Sequence, residues 1–143
     1  MKYEKKKKDM PERAQLIGTT ISRATIDSIF EMRQFDLVMF DEVSMAYVPQ
    51  VIAAATLSKE KFICVGDFRQ LAPISQCPDA KLLKTDIFSY LKIIDSVGHM
   101  YWHPWLVMLN EQRRMHPDIA GFPNKYIYKR LLQNHTSVLN SRK

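Results

Sequence analysis

Apolar and polar positions along the chain fall into short, sharply bounded blocks. Phe35-Asp36-Leu37-Val38-Met39-Phe40 is a compact apolar run that stops at Asp41-Glu42. A run of that length without strict alternation predicts a strand buried on both faces, the kind found in parallel sheets. Lys61-Phe62-Ile63-Cys64-Val65 repeats the pattern and ends at Gly66-Asp67, and Trp105-Leu106-Val107-Met108-Leu109 predicts a third strand. Ahead of them, Ala14 to Ile21 predicts a short strand running into a polar turn, and residues 22–33 a short helix. Pro49 opens a predicted helix through Ala53-Ala54-Ala55 to about Ser58, because proline suits a first turn and alanine favours the turns after it. Ile87, Leu91 and Ile94 at helical spacing predict a helix over Asp86 to Ile94, and residues 117–128 predict a last helix interrupted near Pro123. Strand alternating with helix predicts an α/β layered domain with a mostly parallel sheet.

Composition narrows the class. The 143 residues are 46% hydrophobic and 25% charged, which suits a folded domain and excludes disordered, collagen-like and disulfide-scaffold chains. No stretch approaches the ~18–20 apolar residues of a membrane span, and nothing apolar follows Lys5 to Lys8, so no secretory signal is expected. The expectation is an intracellular protein, cytoplasmic or nuclear, with no membrane partner. The net charge of +6 resides at the ends: residues 1–8 carry +4 and residues 125–143 carry +5, leaving the middle at −3. Such runs are solvated tails or electrostatic arms for phosphate. Cys64 lies in an apolar run and is expected to be buried, while His99 and His103, four apart, sit in a segment whose Trp102 and Pro104 favour a turn over a metal site.

The chemistry is expected at the strand ends, since ligands of open α/β sheets bind beyond the carboxyl ends of the strands. Asp41-Glu42 after an apolar strand suits an Asp that holds Mg²⁺ near a phosphate beside a Glu that polarises water. Mg²⁺ takes hard oxygen ligands, and one carboxylate anchors it together with substrate phosphates. Gly66-Asp67-Phe68-Arg69-Gln70-Leu71-Ala72-Pro73 sets a carboxylate and an uncharged amide at a second strand end, and Gln donates to phosphate oxygen or positions water. Glu111-Gln112-Arg113-Arg114-Met115-His116-Pro117 follows the third run, and its adjacent arginines suit bidentate phosphate contacts.

In this order, the three blocks resemble the superfamily 1 helicases, nearest the 5′-to-3′ moving branch that includes the nonsense-mediated-decay RNA helicases. The resemblance runs from about Ile17 to Tyr128. It implies a partial RecA-like P-loop NTPase domain whose C-terminal part enters a second RecA-like domain, with a basic leader over 1–13, the C-terminal half of the first motor domain over 14–109 and the start of the second over 110–143. It implies Asp41 as the Mg²⁺ ligand and Glu42 as activator of the attacking water. Gln70 would sense the γ-phosphate, with Asp67 in the same motif, and Arg114 would touch that phosphate from the second domain, with Gln112 and Arg113 beside the nucleotide. Thr19, Thr20 and Ser22 resemble the segment that holds the nucleic-acid backbone, and Pro73 lies where the family approaches the bases. ATP and Mg²⁺ are the implied cofactors of the complete motor, and single-stranded DNA or RNA and the remainder of the motor its partners.

Two departures from the family pattern bear on function. Arg113 stands where the family has a base-stacking Tyr, and Arg also stacks on aromatic planes. The glycines, Gly18, Gly66, Gly98 and Gly121, lie 48, 32 and 23 residues apart, so the 143 residues hold no pair five apart followed by Lys and Ser or Thr. Without that phosphate cradle the chain is expected to be part of a motor, beginning inside the first domain and inactive alone. Half a parallel sheet exposes an edge, so self-association is expected. A degenerate motor domain binding single strands or a partner is the alternative, and a metal-dependent nuclease using Asp41, Glu42 and Asp67 a more distant one.

Overall fold

A computed structural model describes residues 14–31, 33–77, 79–94 and 103–139; the basic leader and His99 lie outside the described residues. The chain divides into two compact units, Met1–Tyr101 and Trp102–Lys143.

The first unit is built from α1 (Ile21–Ile26), α2 (Ser28–Glu31), β1 (Phe35–Phe40), a 3₁₀ turn (Val43–Met45), α3 (Val48–Ala55), β2 (Ser58–Cys64), α4 (Lys81–Lys84) and α5 (Ile87–Tyr90). β1 and β2 pair in parallel, Leu37 opposite Lys61 through Phe40 opposite Cys64, with one irregularity after Phe35. Parallel neighbours need a crossover, and α3 supplies it. That helix starts where expected: Pro49 sits in its first turn, and the Gln50 side chain accepts the Tyr47 N–H at 3.2 Å. Its Val48, Val51 and Ala54, three apart, form the buried face, which packs against β1, β2, α1, α4 and α5. Val43, Phe30, Ile87 and Phe88 complete this core. Burying a valine contributes roughly 1.5–3 kcal/mol, so Val43, Val48 and Val51 are leading contributors to this core.

Several expectations are corrected here. Ala14 to Thr20 is not a strand, because among the described residues β1 has no second neighbour to pair with it. Thr20 instead caps α1, its hydroxyl accepting from the Arg23 N–H at 3.4 Å. β1 is not buried on both faces: the lone β1–β2 pair leaves Leu37 and Met39 exposed, and Cys64 only half-buried. The helix expected over 22–33 breaks at Asp27, whose backbone is extended and whose carboxylate accepts the Ile29 N–H at 3.2 Å, starting α2. The helix expected to reach Ile94 stops at Tyr90, and Lys92 turns the chain away at φ 57°.

The second unit holds β3 (Glu111–Gln112), α6 (Pro117–Tyr126), β4 (Gln133–Asn134) and α7 (Thr136–Leu139). β3 and β4 pair in parallel, Glu111 opposite Gln133 and Gln112 opposite Asn134. The strand expected over Trp105–Leu109 is not formed: residues 104–105 turn, 106–110 run without ladder partners, and pairing starts only at Glu111. Three hydrophobic residues there, Trp105, Val107 and Leu109, are exposed, so the apolar run alone lacks the neighbour that would make it a strand. α6 is not interrupted at Pro123 but continues through it, and the Ile127 and Tyr128 N–H groups then close on the Pro123 carbonyl at 2.8 and 3.0 Å. Asn124 staples the following loop, accepting from the Leu132 N–H at 3.0 Å and donating to the Leu132 carbonyl at 2.9 Å. The architecture is α/β with parallel strand pairs, as the blocks predicted.

Candidate functional site

Parallel pairing sets the carboxyl ends of β1 and β2 at the same edge, and backbone hydrogen bonds carry the pairing past both strands. Val65 N–H donates to the Phe40 carbonyl at 2.8 Å, and Val43 N–H returns to the Val65 carbonyl at 2.9 Å. Asp41-Glu42 thus turns out beside Gly66-Asp67, held on both sides. The turn leaves no room at Gly66: a Cβ there would lie 3.0 Å from the Ser44 nitrogen and 3.1 Å from Val43 Cγ1. Glycine is required by this close approach of backbone. Ser44, 1% exposed, accepts the Asp67 N–H through its hydroxyl at 3.4 Å. Ser44 is a site residue that sequence reasoning misses, its only signal a small polar residue two positions behind the acid pair, whereas Gly66 reads from sequence as part of the second strand end but not as a position the packing requires.

Asp41 and Glu42 are both exposed. Asp41 Oδ1 accepts the Glu42 N–H at 2.9 Å, which leaves Oδ2 without a bond among the described residues. Glu42 stands in the left-handed region at φ 53°, ψ 35°, and its carboxylate has no partner among the described residues. The chemistry of this donor set, hard and anionic oxygens at a strand end, suits Mg²⁺ held jointly with phosphate. Among the described residues no cluster of three or more His, Cys, Asp or Glu side chains could hold a metal unaided.

Asp67 organises the second strand end. Its Oδ1 accepts the Arg69 N–H at 3.0 Å, its Oδ2 accepts from Gln70 Nε2 at 3.0 Å, and its carbonyl accepts the Gln70 N–H at 3.0 Å. Gln70 is exposed but its amide is held on Asp67. Phe68, under the same turn, meets Phe88 with ring centroids 5.6 Å apart, and the Arg69 guanidinium lies 5.4 Å above the Phe68 ring. Pro73 is buried, so its exposed neighbours Leu71 and Ile74 offer the apolar surface there. The Tyr47 hydroxyl donates to the Ile74 carbonyl at 2.7 Å and ties this loop to the start of α3.

Gln15 to Ile21 lies along β1 and encloses a cleft of about 550 Å³ that ends at Asp41. Thr19 and Thr20 line this cleft with Leu37 to Asp41, so the structure brings the two threonines and the acid to one cavity. Ser22, Gln70 and Pro73 are not among its lining residues.

In the second unit Glu111 and Gln112 sit on β3 and Arg113-Arg114 in the turn after it. The Arg113 guanidinium reaches Glu111 Oε1 through Nε at 3.0 Å and Nη2 at 2.7 Å. That hydrogen bond holds the Glu111 carboxyl below the usual range. Gln112 Oε1 accepts the Arg114 and Met115 N–H groups at 3.0 and 2.9 Å, and its Nε2 donates to the Met115 carbonyl at 2.9 Å and to Asn134 Oδ1 at 2.5 Å. The Arg114 side chain is exposed, with no partner among the described residues. His116 Nδ1 accepts the Asp118 N–H at 3.2 Å and caps α6, whose first residue is Pro117. His103 lies in a turn, its Nδ1 accepting the Trp105 N–H at 3.3 Å.

Two family profiles and several curated proteins match this chain. The profile of one AAA-domain family matches residues 1–76, and that of a second AAA-domain family matches residues 96–143. Among curated relatives, the probable helicase MAGATAMA 3 of Arabidopsis thaliana is 34% identical over 74% of this chain. The regulator of nonsense transcripts 1 homolog of Drosophila melanogaster is 29% identical over 71%, and helicase sen1 of Schizosaccharomyces pombe 27% identical over 92%. The chain spans 12% of the first of these relatives and 8% of each of the other two.

Proposed function

We propose a function from this premise: the chain belongs to the superfamily 1 helicases, in the branch of the nonsense-mediated-decay helicases, and its fold class is accordingly RecA-like α/β. In our reading it supplies the hydrolytic and coupling side chains of an ATP-dependent motor that moves on single-stranded DNA or RNA. The C-terminal half of the first motor domain is assigned to residues 14–109 and the start of the second to 110–143.

The observation that carries this reading is the locked pair of strand ends, with Asp41-Glu42 on one and the Asp67-bound Gln70 on the other. Asp41 would hold Mg²⁺ through its free Oδ2, and the bound cation supplies charge that stabilises a transferring phosphoryl group. Glu42, unpartnered and exposed, is the group able to accept a proton from water near that phosphate. Gln70 can pass its amide from Asp67 to a phosphate oxygen without a change of charge. Arg114 offers a free guanidinium, whereas Arg113 is already engaged by Glu111, which singles out Arg114 as the phosphate ligand and leaves Arg113 as the candidate for stacking. Thr19, Thr20 and Ser22 present exposed hydroxyls of the kind that grip a phosphate backbone.

The 143 residues hold no pair of glycines five apart followed by Lys and Ser or Thr, the sequence that builds a cradle of backbone amides. Calorimetric titration of the chain with Mg-ATP is therefore expected to give no heat of binding at millimolar nucleotide. Saturable binding would overturn the expected inactivity of the chain alone and would send Asp41 and Glu42 to direct tests as a working pair. The alternative, a single-strand binding module, draws on the exposed hydroxyls of Thr19, Thr20 and Ser22. It requires salt-sensitive binding of single strands that survives removal of residues 1–8.

A further inference from the structure

Gln112 reads from sequence as a nucleotide contact, but its side chain has nothing left to offer a nucleotide. A primary amide has two donor hydrogens and an oxygen with two lone pairs. In Gln112 all four are used inside the chain, by the Arg114 and Met115 N–H groups, the Met115 carbonyl and Asn134 Oδ1. The orientation of the amide is fixed by these partners, since the reversed amide would point its NH₂ at two N–H donors. Gln112 is also tied through its backbone: its carbonyl accepts the His135 N–H at 3.0 Å, and Gln112 pairs with Asn134 in the β3–β4 ladder.

These bonds close the 112–115 turn from inside. Arg114 lies within this turn, just ahead of the His116-capped start of α6, so its backbone is fixed on both sides while its guanidinium is free. Its neighbour Arg113 is the opposite case, its guanidinium tied down by Glu111. A cationic side chain leaving a fixed backbone loses less freedom when it meets an anion, so such support raises affinity without touching the ligand.

We propose that Gln112 is a positioning residue for Arg114, with Asn134 as its outer support: the saturated amide fixes the turn from which Arg114 presents its guanidinium to phosphate. The proposal rests on the reading of Arg114 as a phosphate ligand, and the test separates the two. Isotope-labelled chain is titrated with inorganic pyrophosphate while the Arg114 Nε–H resonance is followed, and amide exchange is measured at Arg114 and Met115. The wild-type Arg114 signal is expected to shift and to saturate only weakly, above the millimolar range in which calorimetry with Mg-ATP gives no heat. Gln112→Ala is expected to speed exchange of both amides and to weaken pyrophosphate at Arg114 by about tenfold. Asn134→Ala, which keeps the backbone ladder, is expected to show the same two effects more weakly, and Asn134→Asp, which keeps the acceptor, to restore both. Faster exchange with unchanged affinity in Gln112→Ala or Asn134→Ala would make Gln112 merely structural and overturn the proposal. A pyrophosphate-induced shift of the Gln112 side-chain amide that persists in Arg114→Ala would overturn it as well, by making Gln112 a direct ligand. No Arg114 response in the wild type would instead overturn the reading of Arg114, while exchange still reported whether Gln112 holds the turn.

Discussion

Glu42 holds a left-handed backbone at φ 53° that L-residues enter at a cost of about 1–2 kcal/mol and glycine enters freely. Strain at a residue whose carboxylate is exposed and unpartnered is consistent with a reactive group held in place by its surroundings. Glu42→Gly is therefore expected to raise stability by about 1 kcal/mol in urea unfolding, whereas Glu42→Gln, with the same backbone demand, leaves it unchanged; a destabilised glycine variant would show that the conformation is unstrained. Two titrating groups give further checks at this scale. Burial pushes the Cys64 thiol up, while Cys77 is exposed, so iodoacetamide near pH ~8 is expected to label Cys77 first. Equal labelling rates would mean that Cys64 is as open as Cys77. The Glu111 carboxyl, held down by Arg113, favours the folded state above the usual carboxylate range, and that help is lost as pH falls through its lowered pKa. Because the pair is exposed, the gain is small; it would be visible as a low Glu111 titration midpoint that rises in Arg113→Ala.

Among elements, the decisive join is between β1 and β2 at their carboxyl ends, where Gly66 lies against Val43 and Ser44. Gly66→Ala forces backbone apart in a packed turn and is expected to cost about 1–3 kcal/mol. Gly121, within α6, is the control: a Cβ there meets nothing within 4 Å, and Gly121→Ala is expected to stabilise by about 0.5–1 kcal/mol. Urea unfolding of both variants tests this directly, and a harmless Gly66→Ala would mean that the strand ends are not locked as described. The apolar runs themselves announced β1 and β2. They misled over Trp105–Leu109 and Ala14–Thr20 for one reason: a strand is made by its neighbour's N–H and C=O groups, which composition does not report. Asp27 likewise reads as one polar position within a helical stretch, and only its carboxylate reaching Ile29 shows that it ends one helix and starts the next.

For the whole molecule, among the described residues the β1–β2 pair has no further strand on either edge, and β1 exposes Leu37 and, 61% open, Met39. An unpaired edge of apolar side chains without proline recruits other chains. Self-association is expected in light scattering, and Met39→Lys, a charge on that strand, is expected to reduce it; a strictly monomeric wild type would remove the idea. Among the described residues no helix is long and apolar enough to cross a membrane.

Sequence by itself determined the two apolar strands, the carboxylates that end the first, the amide after the second, the paired arginines and the order that marks the family. Those are local features, written in residue type and spacing. Tertiary structure decided which groups are available. It brought Thr19 and Thr20 into one cleft with Asp41, buried Pro73, tied Arg113 to Glu111 and consumed the Gln112 amide inside its own turn. Each of those outcomes depends on hydrogen-bond partners and packing neighbours brought close by the fold, which residue types and spacing along the chain do not reveal.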